Sequence, residues 1–289
     1  MLPRYGYEGE TKYTQGLVSP DVTKIRIDIV TYHGDGTYTI NQSWKEGVLG
    51  FSDGTLAFCA DPRIDFTRGN KTARKATKYF SETAVKTACA LIEYVNRYQS
   101  PSCLNSYQIY ALKQIGIWGI LNAEKGWYPG AQIEFGNGQK DSAGHNIWLK
   151  HASPVVHAGI DWAKSHKDNI QLGNCFVWEG SGQPLVTWDY KYVEKGGLSI
   201  QKISGNSSLT TNNSYYSLAG ADYRIYSDRN CTNRVATIRT DAKGYAATAN
   251  DALNAGTYYV KEATPSQGYE LDKNVYVYTV KSRCNCKSK

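Results

Sequence analysis

Apolar and polar residues change their period several times along the chain, and each change predicts an element. Residues 23–32 alternate, with Ile25, Ile27 and Ile29 on one side, and residues 37–40 follow the turn Gly34-Asp35-Gly36. That arrangement predicts a β-hairpin. Residues 56–59 read as a short apolar strand behind a second turn, Ser52-Asp53-Gly54. The period then lengthens. Val85, Ala88, Ile92 and Val95 form one stripe spaced near 3.6, which predicts a helix over 81–97. Residues 106–122 predict a second helix, opened by Asn105 or Ser106 as N-cap and stopped near Gly126. The Gly-rich stretch 127–150 reads as loop, and 154–167 has Val155, Val156, Ile160 and Trp162 at helical spacing. Strand-like stretches at 175–178 and 184–190 close this part.

The pattern changes near 191–197. Beyond it, residues 198–203, 221–226, 235–239, 256–262 and 275–280 alternate or are rich in β-branched and aromatic side chains, with Gly, Asn and Asp turns between them. Five to seven short strands in this span predict a small sandwich. Two domains are expected: residues 1–194, mixing strands and helices in an α+β arrangement, and residues 195–289, all β.

With 41% hydrophobic and 12% aromatic residues, the chain has ample material for buried cores, which excludes collagen-like, low-complexity and disordered classes. No run approaches the roughly 18 apolar residues of a membrane span. Twenty-three Tyr and 27 Gly against one Met read as a β-rich, exported protein. Residues 1–5 lack an apolar signal core, so the expected signal lies outside this stretch. The net charge of +7 is uneven: 20 Lys and Arg oppose 19 Asp and Glu up to residue 194, and 13 oppose 7 beyond it. The excess is scattered without a basic block, which argues against nucleic-acid binding. Seven Cys leave at least one thiol outside any intrachain disulfide. The pair Cys284-x-Cys286 has no second pair to complete a zinc site, so neither metal nor cofactor is expected.

Among the thiols, Cys89 lies beside the apolar stripe of its helix and reads as a small buried hydrophobe. Cys103 sits in a loop and Cys175 in an apolar strand, without chemical context. Cys59 differs, because it ends a strand and leads into Ala60-Asp61-Pro62, where a thiol is expected to be accessible. In the second helix Gln114 and Trp118 are four residues apart and share a face. Gly116 between them lets another backbone approach, at a cost of about 1 kcal/mol in helix propensity. By composition alone, a helix glutamine is usually structural and a helix tryptophan usually core.

Phe58-Cys59-Ala60-Asp61, followed by Gln114-Ile-Gly-Ile-Trp118, resembles the thioester domains of Gram-positive surface adhesins. The two motifs stand 55 positions apart in the family's order, and the resemblance extends over residues 20–190. Lys113 departs from the Thr or Ser that often precedes the family's Gln. The resemblance implies a β-sandwich or barrel-like sheet with an inserted helical subdomain. It also implies a spontaneous bond between the Cys59 sulfur and the Gln114 side-chain carbonyl, with loss of ammonia. Trp118 would exclude water, and Asp61 would orient the turn or the amide. A thioester is a far better acyl donor than an amide, and close placement of thiol and carboxamide supplies effective molarities of about 10⁵ M or more. The implied act is a single covalent capture without turnover, hence not enzymatic. The partner would be an amine-bearing ligand, such as a host-protein lysine or a polyamine, met at a bacterial cell surface. Two alternatives stand beside it. One is a cysteine hydrolase or transglutaminase-like enzyme with His145, His151 or His157 as base. The other is a structural pilin-like module with an inert motif.

Further along, Leu218-Ala-Gly-Ala-Asp-Tyr223, Thr240-Asp-Ala-Lys-Gly-Tyr245 and the stretch from Gly256 through Glu262 and Pro265 to Tyr269 resemble the Cna B-type, prealbumin-like domains of the same adhesins and pili. This implies an immunoglobulin-like sandwich and association with other pilus or cell-wall-anchored subunits. Many such domains carry a Lys–Asn isopeptide bond promoted by a buried acid. Lys202 and Glu262 match the lysine and the acid. Asn285 is the sole candidate acceptor, and the charges of Arg283, Lys287 and Lys289 oppose its burial. The expectation is therefore a domain lacking its last strand, with an exposed edge and no such bond.

Overall fold

A computed structural model describes residues 6–17, 26–35, 37–45, 47–97, 104–135 and 152–281. The chain divides into two units, Met1–Tyr192 and Val193–Lys289.

In the first unit, six antiparallel strands close a barrel. They are β1 (Thr11–Leu17), β4 (Val48–Phe51), β5 (Leu56–Cys59), β6 (Gly69–Lys75), β9 (Phe176–Gly180) and β10 (Leu185–Thr187). Their order around the barrel is β1-β4-β5-β10-β9-β6, closed by pairing of β6 with β1. The predicted hairpin is present as β2 (Arg26–Tyr32) and β3 (Tyr38–Lys45). Residues 23–25 lie outside the described residues. A third strand, β7 (Gln132–Phe135), joins the far side of β2, so the stretch 127–150 is not all loop. The predicted strand 184–190 divides into β10 and β11 (Tyr190–Tyr192), and β11 pairs with β8 (Ile170–Leu172).

Among the described residues of this unit three α-helices accompany the strands: α1 (Glu82–Arg97), α2 (Ser106–Lys125) and α3 (Ser153–His166). The stripe Val85, Ala88, Ile92 and Val95 of α1 is buried throughout. Helix α2 is opened by a capping box. Asn105 Oδ1 accepts from the Gln108 N–H at 3.0 Å, and Gln108 Oε1 accepts from the Asn105 N–H at 2.8 Å. Its far end stops at Gly126, which sits at φ +64° and donates to the Asn122 carbonyl. Between these ends α2 is buried on nearly every side, from Tyr110 to Leu121, as befits a helix enclosed by its neighbours. It packs on α1, on α3 and on strands β4 and β5. Gly116 is needed for this. A Cβ there would collide with the Leu91 side chain of α1, which is itself fully buried. Cys89 of α1 and Cys175, just before β9, are also buried, with their sulfurs 4.0 Å apart. Burial pushes the Cys89 thiol up, and the hydrogen bond from Cys89 brings Cys175 down.

The second unit contains more strands than the sequence pattern indicates. A four-stranded antiparallel sheet has the order β15 (Arg234–Arg239), β14 (Asp222–Tyr226), β18 (Gly256–Thr264), β19 (Val275–Val280). The described residues add two pairs, β13 (Ser199–Gln201) with β16 (Tyr245–Ala247) and β12 (Lys195–Gly196) with β17 (Leu253–Asn254), and a one-turn helix at Ser207–Thr210, so the unit is not all β. Strands of two or three residues carry no period that a sequence pattern can register. The core alternates as a half-buried sheet should. Tyr223 and Ile225 of β14, and Tyr258 and Val260 of β18, point inward with Leu198, Ile200 and Ala246. Gly220, Gly244 and Gly268 hold φ of +89°, +78° and +83°, which explains glycine at these turns.

Replacing Gly116 with Ala tests the close approach of α1 and α2. Helix propensity alone favours alanine by about 1 kcal/mol. The collision with Leu91 reverses the sign, so Gly116→Ala should destabilise the protein by on the order of 1–3 kcal/mol in a denaturant titration. A stabilised variant would show that the helices do not meet there.

Candidate functional site

The pairing of β4 with β5 ends at Leu49↔Ala57. Two residues further on, Cys59 would face a neighbour that β4 no longer provides. Helix α2 fills the gap with side chains one turn apart. The Tyr110 hydroxyl donates to the Ala57 carbonyl at 2.6 Å. Gln114 takes both backbone groups of Cys59: its Oε1 accepts from the Cys59 N–H at 2.7 Å, and its Nε2 donates to the Cys59 carbonyl at 3.0 Å. The carboxamide thus stands in for a strand neighbour. Phe58, between these positions, stacks on the Tyr110 ring at 4.6 Å and 8°. Strand and helix are thereby registered on one another at the residues singled out from the sequence.

Cys59 is 1% exposed and Gln114 not at all. The thiol at the strand's end is therefore buried, contrary to the expectation that a strand terminus leaves it open. The reason is the turn after β10's neighbour β9. The segment 180–184 folds over the end of the barrel, and Gln183 Oε1 accepts from the Cys59 Sγ–H at 3.0 Å. Under the same segment lies Lys71 of β6, 1% exposed, whose Nζ donates to the carbonyls of Ser181 at 2.5 Å and Gln183 at 2.7 Å. Burial pulls Lys71 below the ordinary lysine range, and the Cys59 charge opposes that shift in part. Neither Lys71 nor Gln183 stands out in the sequence. Lys71 belongs to a polar strand, and Gln183 to a Ser-Gly-Gln-Pro turn.

Asp61 is buried and gives its carboxylate to Arg63. Arg63 Nε donates to Oδ1 at 2.9 Å and Nη2 to Oδ2 at 2.7 Å, while the Arg63 backbone N–H also reaches Oδ1. These bonds hold the turn that follows β5. The Arg63 guanidinium in turn lies 5.2 Å from the Trp127 ring centre. Trp118, one turn beyond Gln114 on α2, is 1% exposed within the core of the unit. Lys113 is half-buried, and desolvation lowers it from the usual lysine value. Phe58 and Lys113 also line a cleft of about 750 Å³ with Trp188, Tyr190 and Tyr192.

Of the histidines weighed as a base, His145 and His151 lie outside the described residues. His157 on α3 is 2.7 Å from Glu134 Oε1 of β7, and this carboxylate raises its pKa. His157 thus faces a carboxylate of β7, in a cleft lined by Asn122, Tyr128 and Glu134 and not by Cys59. Among the described residues no cluster of acidic, His and Cys side chains could hold a metal ion, and no helix is long and apolar enough to cross a membrane.

In the second unit Glu262 continues the inward register of Tyr258 and Val260 and is 1% exposed. Its Oε1 accepts from Lys202 Nζ at 2.8 Å and its Oε2 from the Asp272 N–H at 2.7 Å. The Lys202 ammonium also lies 5.2 Å from the Tyr269 ring centre. Lys202 is therefore a paired lysine, with its side chain 8% exposed. Strand β19 is an edge of its sheet, with Val275, Tyr276 and Val277 exposed. Asn285 lies outside the described residues.

Residues 201–287 match the family model of the SpaA prealbumin-like fold domain, so the second unit contains a prealbumin-like domain. Over 95% of its length the chain is similar in structure to the Bacillus anthracis TIE protein, at 11% identity and a TM-score of 0.36. It covers 64% of that protein. A third of the chain (33%) is similar to the T6 backbone pilin of serotype M6 Streptococcus pyogenes, at 22% identity and a TM-score of 0.25, covering 18% of that protein. The chain thus spans less than two thirds of either. No curated protein matches it.

The buried Lys202–Glu262 pair gives a direct test of the second unit's core. Lys202→Ala should cost about 3–5 kcal/mol by leaving the carboxylate buried without its cation. The double variant Lys202→Met, Glu262→Leu should recover most of that loss. A double-mutant cycle by denaturant unfolding checks it, and a Lys202→Ala cost below about 1 kcal/mol would place the pair in contact with water.

Proposed function

We propose that this chain is part of a Gram-positive surface adhesin that captures amine-bearing ligands covalently through a Cys59–Gln114 thioester, with the prealbumin-like unit as its spacer. The observation that carries this reading is the docking of the Gln114 carboxamide on the backbone of Cys59, inside the barrel's buried rim. A glutamine serving the helix alone has no need of a cysteine 55 residues away.

The geometry suits the chemistry in three ways. The Cys59 N–H already donates to Gln114 Oε1, where negative charge gathers when sulfur attacks the carboxamide carbon. Attack by Sγ at that carbon forms the S–C bond and breaks the C–N bond. The thiol proton leaves with the amide nitrogen as ammonia. Burial of both residues keeps water from the acyl bond, which is what lets a thioester persist. In capture, a primary amine attacks the same carbon, an amide forms, and the Cys59 thiol is released. A site this enclosed favours an amine on a thin flexible chain, as in a lysine side chain or a polyamine.

The intact native protein should be lighter than its sequence by one ammonia, and Cys59→Ala should abolish that deficit. Methylamine should add to the native protein and free one thiol for maleimide. Gln114→Ala should end capture while leaving α2 helical, since alanine is the better helix former, at a stability cost of about 1–3 kcal/mol for each Cys59 backbone group left unmet. Trp118→Ala should leave a thioester that hydrolyses faster, in a protein destabilised by about 3–5 kcal/mol. Freshly folded protein with neither mass deficit nor adduct would refute the proposal, as would capture that survives Gln114→Ala.

A further inference from the structure

Lys71 is a buried cation that no carboxylate pairs among the described residues. The partners of its Nζ are two backbone carbonyls, Ser181 and Gln183, and among the described residues it forms no ion pair. Carbonyl dipoles solvate an ammonium group but do not neutralise it, so the cost of removing this charge from water is only partly offset. A charge held at such a cost near a buried thiol is a candidate for a functional role.

The strand pattern shows how it gets there. Lys71 and Ala73 are the buried positions of β6, alternating with exposed Asn70, Thr72 and Arg74. Lys71 pairs with Gly180 of the neighbouring strand β9, and the chain then turns through 180–184 over the ammonium group. A Cβ at Gly180 would collide with the Asn70 carbonyl, so this turn lies directly on β6. Gln183 thereby receives Lys71 on its backbone carbonyl and the Cys59 thiol on its side-chain oxygen, at 2.7 and 3.0 Å. One residue links the cation to the sulfur.

We infer that Lys71 is the electrostatic positioning residue of the Cys59 site, set through Gln183 so that its field stabilises the sulfur whenever it carries negative charge. The inference rests on the thioester reading for its place in a reaction. When an amine attacks the Gln114 acyl carbon, the C–S bond breaks and its electron pair stays on sulfur as a thiolate. The proton lost by the attacking nitrogen then returns to that sulfur, giving amide and thiol. Thioester formation runs through the same charge, since the thiolate is the attacking form. Lys71 is unchanged in either direction. An ammonium group in a dry rim acts on this charge far more strongly than it would in water.

Two measurements test the role, and they separate it from the thioester reading. In the Gln114→Ala chain no thioester can form and Cys59 is a free thiol. Its thiolate fraction at one mildly alkaline pH is read from ultraviolet absorbance, as the difference from the same chain with Cys59→Ser. Adding Lys71→Gln, which keeps a donor for the carbonyls and removes the charge, should lower that fraction about tenfold. In the otherwise native chain, Lys71→Gln should slow methylamine capture by about tenfold or more, with circular dichroism unchanged. A merely structural lysine would move stability and leave the thiolate fraction alone. An unchanged fraction in a folded variant overturns the inference. Should Lys71→Gln not fold, the coupling is read from the other end. The ¹⁵Nζ titration of Lys71 in the Gln114→Ala chain should shift on Cys59→Ser, because linkage is reciprocal. No shift overturns the inference equally. A native chain that shows the lysine–thiol coupling but no ammonia loss would instead refute the thioester and leave the electrostatic role standing.

Discussion

A strand that loses its neighbour must find other partners for its backbone, and in the barrel of this protein the end of β5 finds them in α2. At the last β4 pair Tyr110 takes the Ala57 carbonyl, and beyond it Gln114 takes both groups of Cys59. Leaving these buried groups unmet would cost about 1–3 kcal/mol each. The same bonds that close the barrel rim therefore place a carboxamide against a cysteine. Structure and proposed chemistry share one set of hydrogen bonds, so disturbing the site would also disturb the seam between sheet and helix.

Everything that fixes α2 consequently fixes the site. The capping box at Asn105 and Gln108 sets where the helix starts, and Gly126 sets where it ends. Gly116 lets α1 close on it, on a stretch that also carries Gln114 and Trp118. Phe58 stacking on Tyr110 locks the sliding of helix along strand. A shift of one residue in α2 would turn Gln114 by about 100° away from Cys59. The site is thus held by packing at a distance of one turn on either side, which is where its rigidity comes from.

What the sequence disclosed follows the range over which its signals act. Helices α1 and α2 are long and periodic, so their stripe, caps and stop could be read directly. The ordered Cys59 and Gln114 motifs gave the pair that the fold brings together. Strand β7 escaped notice because Gln132–Phe135 is four residues inside a Gly-rich stretch, and its partner β2 lies about a hundred residues earlier. Strand β6 escaped for a different reason. Asn70, Lys71, Thr72 and Arg74 look like a solvated segment, and only closure of the barrel by β1 and β9 turns Lys71 inward. Cys59 looked accessible because a strand's end usually is. The covering turn at 180–184 comes from more than 120 residues away, and no local pattern announces it. Local propensity is legible, whereas burial imposed by non-local pairing is not.

Lys202 and Lys71 show what a partner does to a charge. Lys202 meets a carboxylate at 2.8 Å, and the Glu262 that neutralises it is anchored by the Asp272 N–H. Seen from a few ångströms away, that pair is nearly a dipole, and its influence falls off quickly. Lys71 meets only carbonyls, whose dipoles hold the ammonium in place while its net charge remains. In a low-dielectric surround such a charge is felt by any neighbour able to ionise, and the ionisable neighbour whose charge reaches Lys71 is Cys59. An anion beside Lys71 would have made the barrel rim easier to fold and electrostatically silent. Its absence among the described residues leaves the sulfur as the group that benefits, which is the physical reason to look for function at this lysine rather than at the better-paired one.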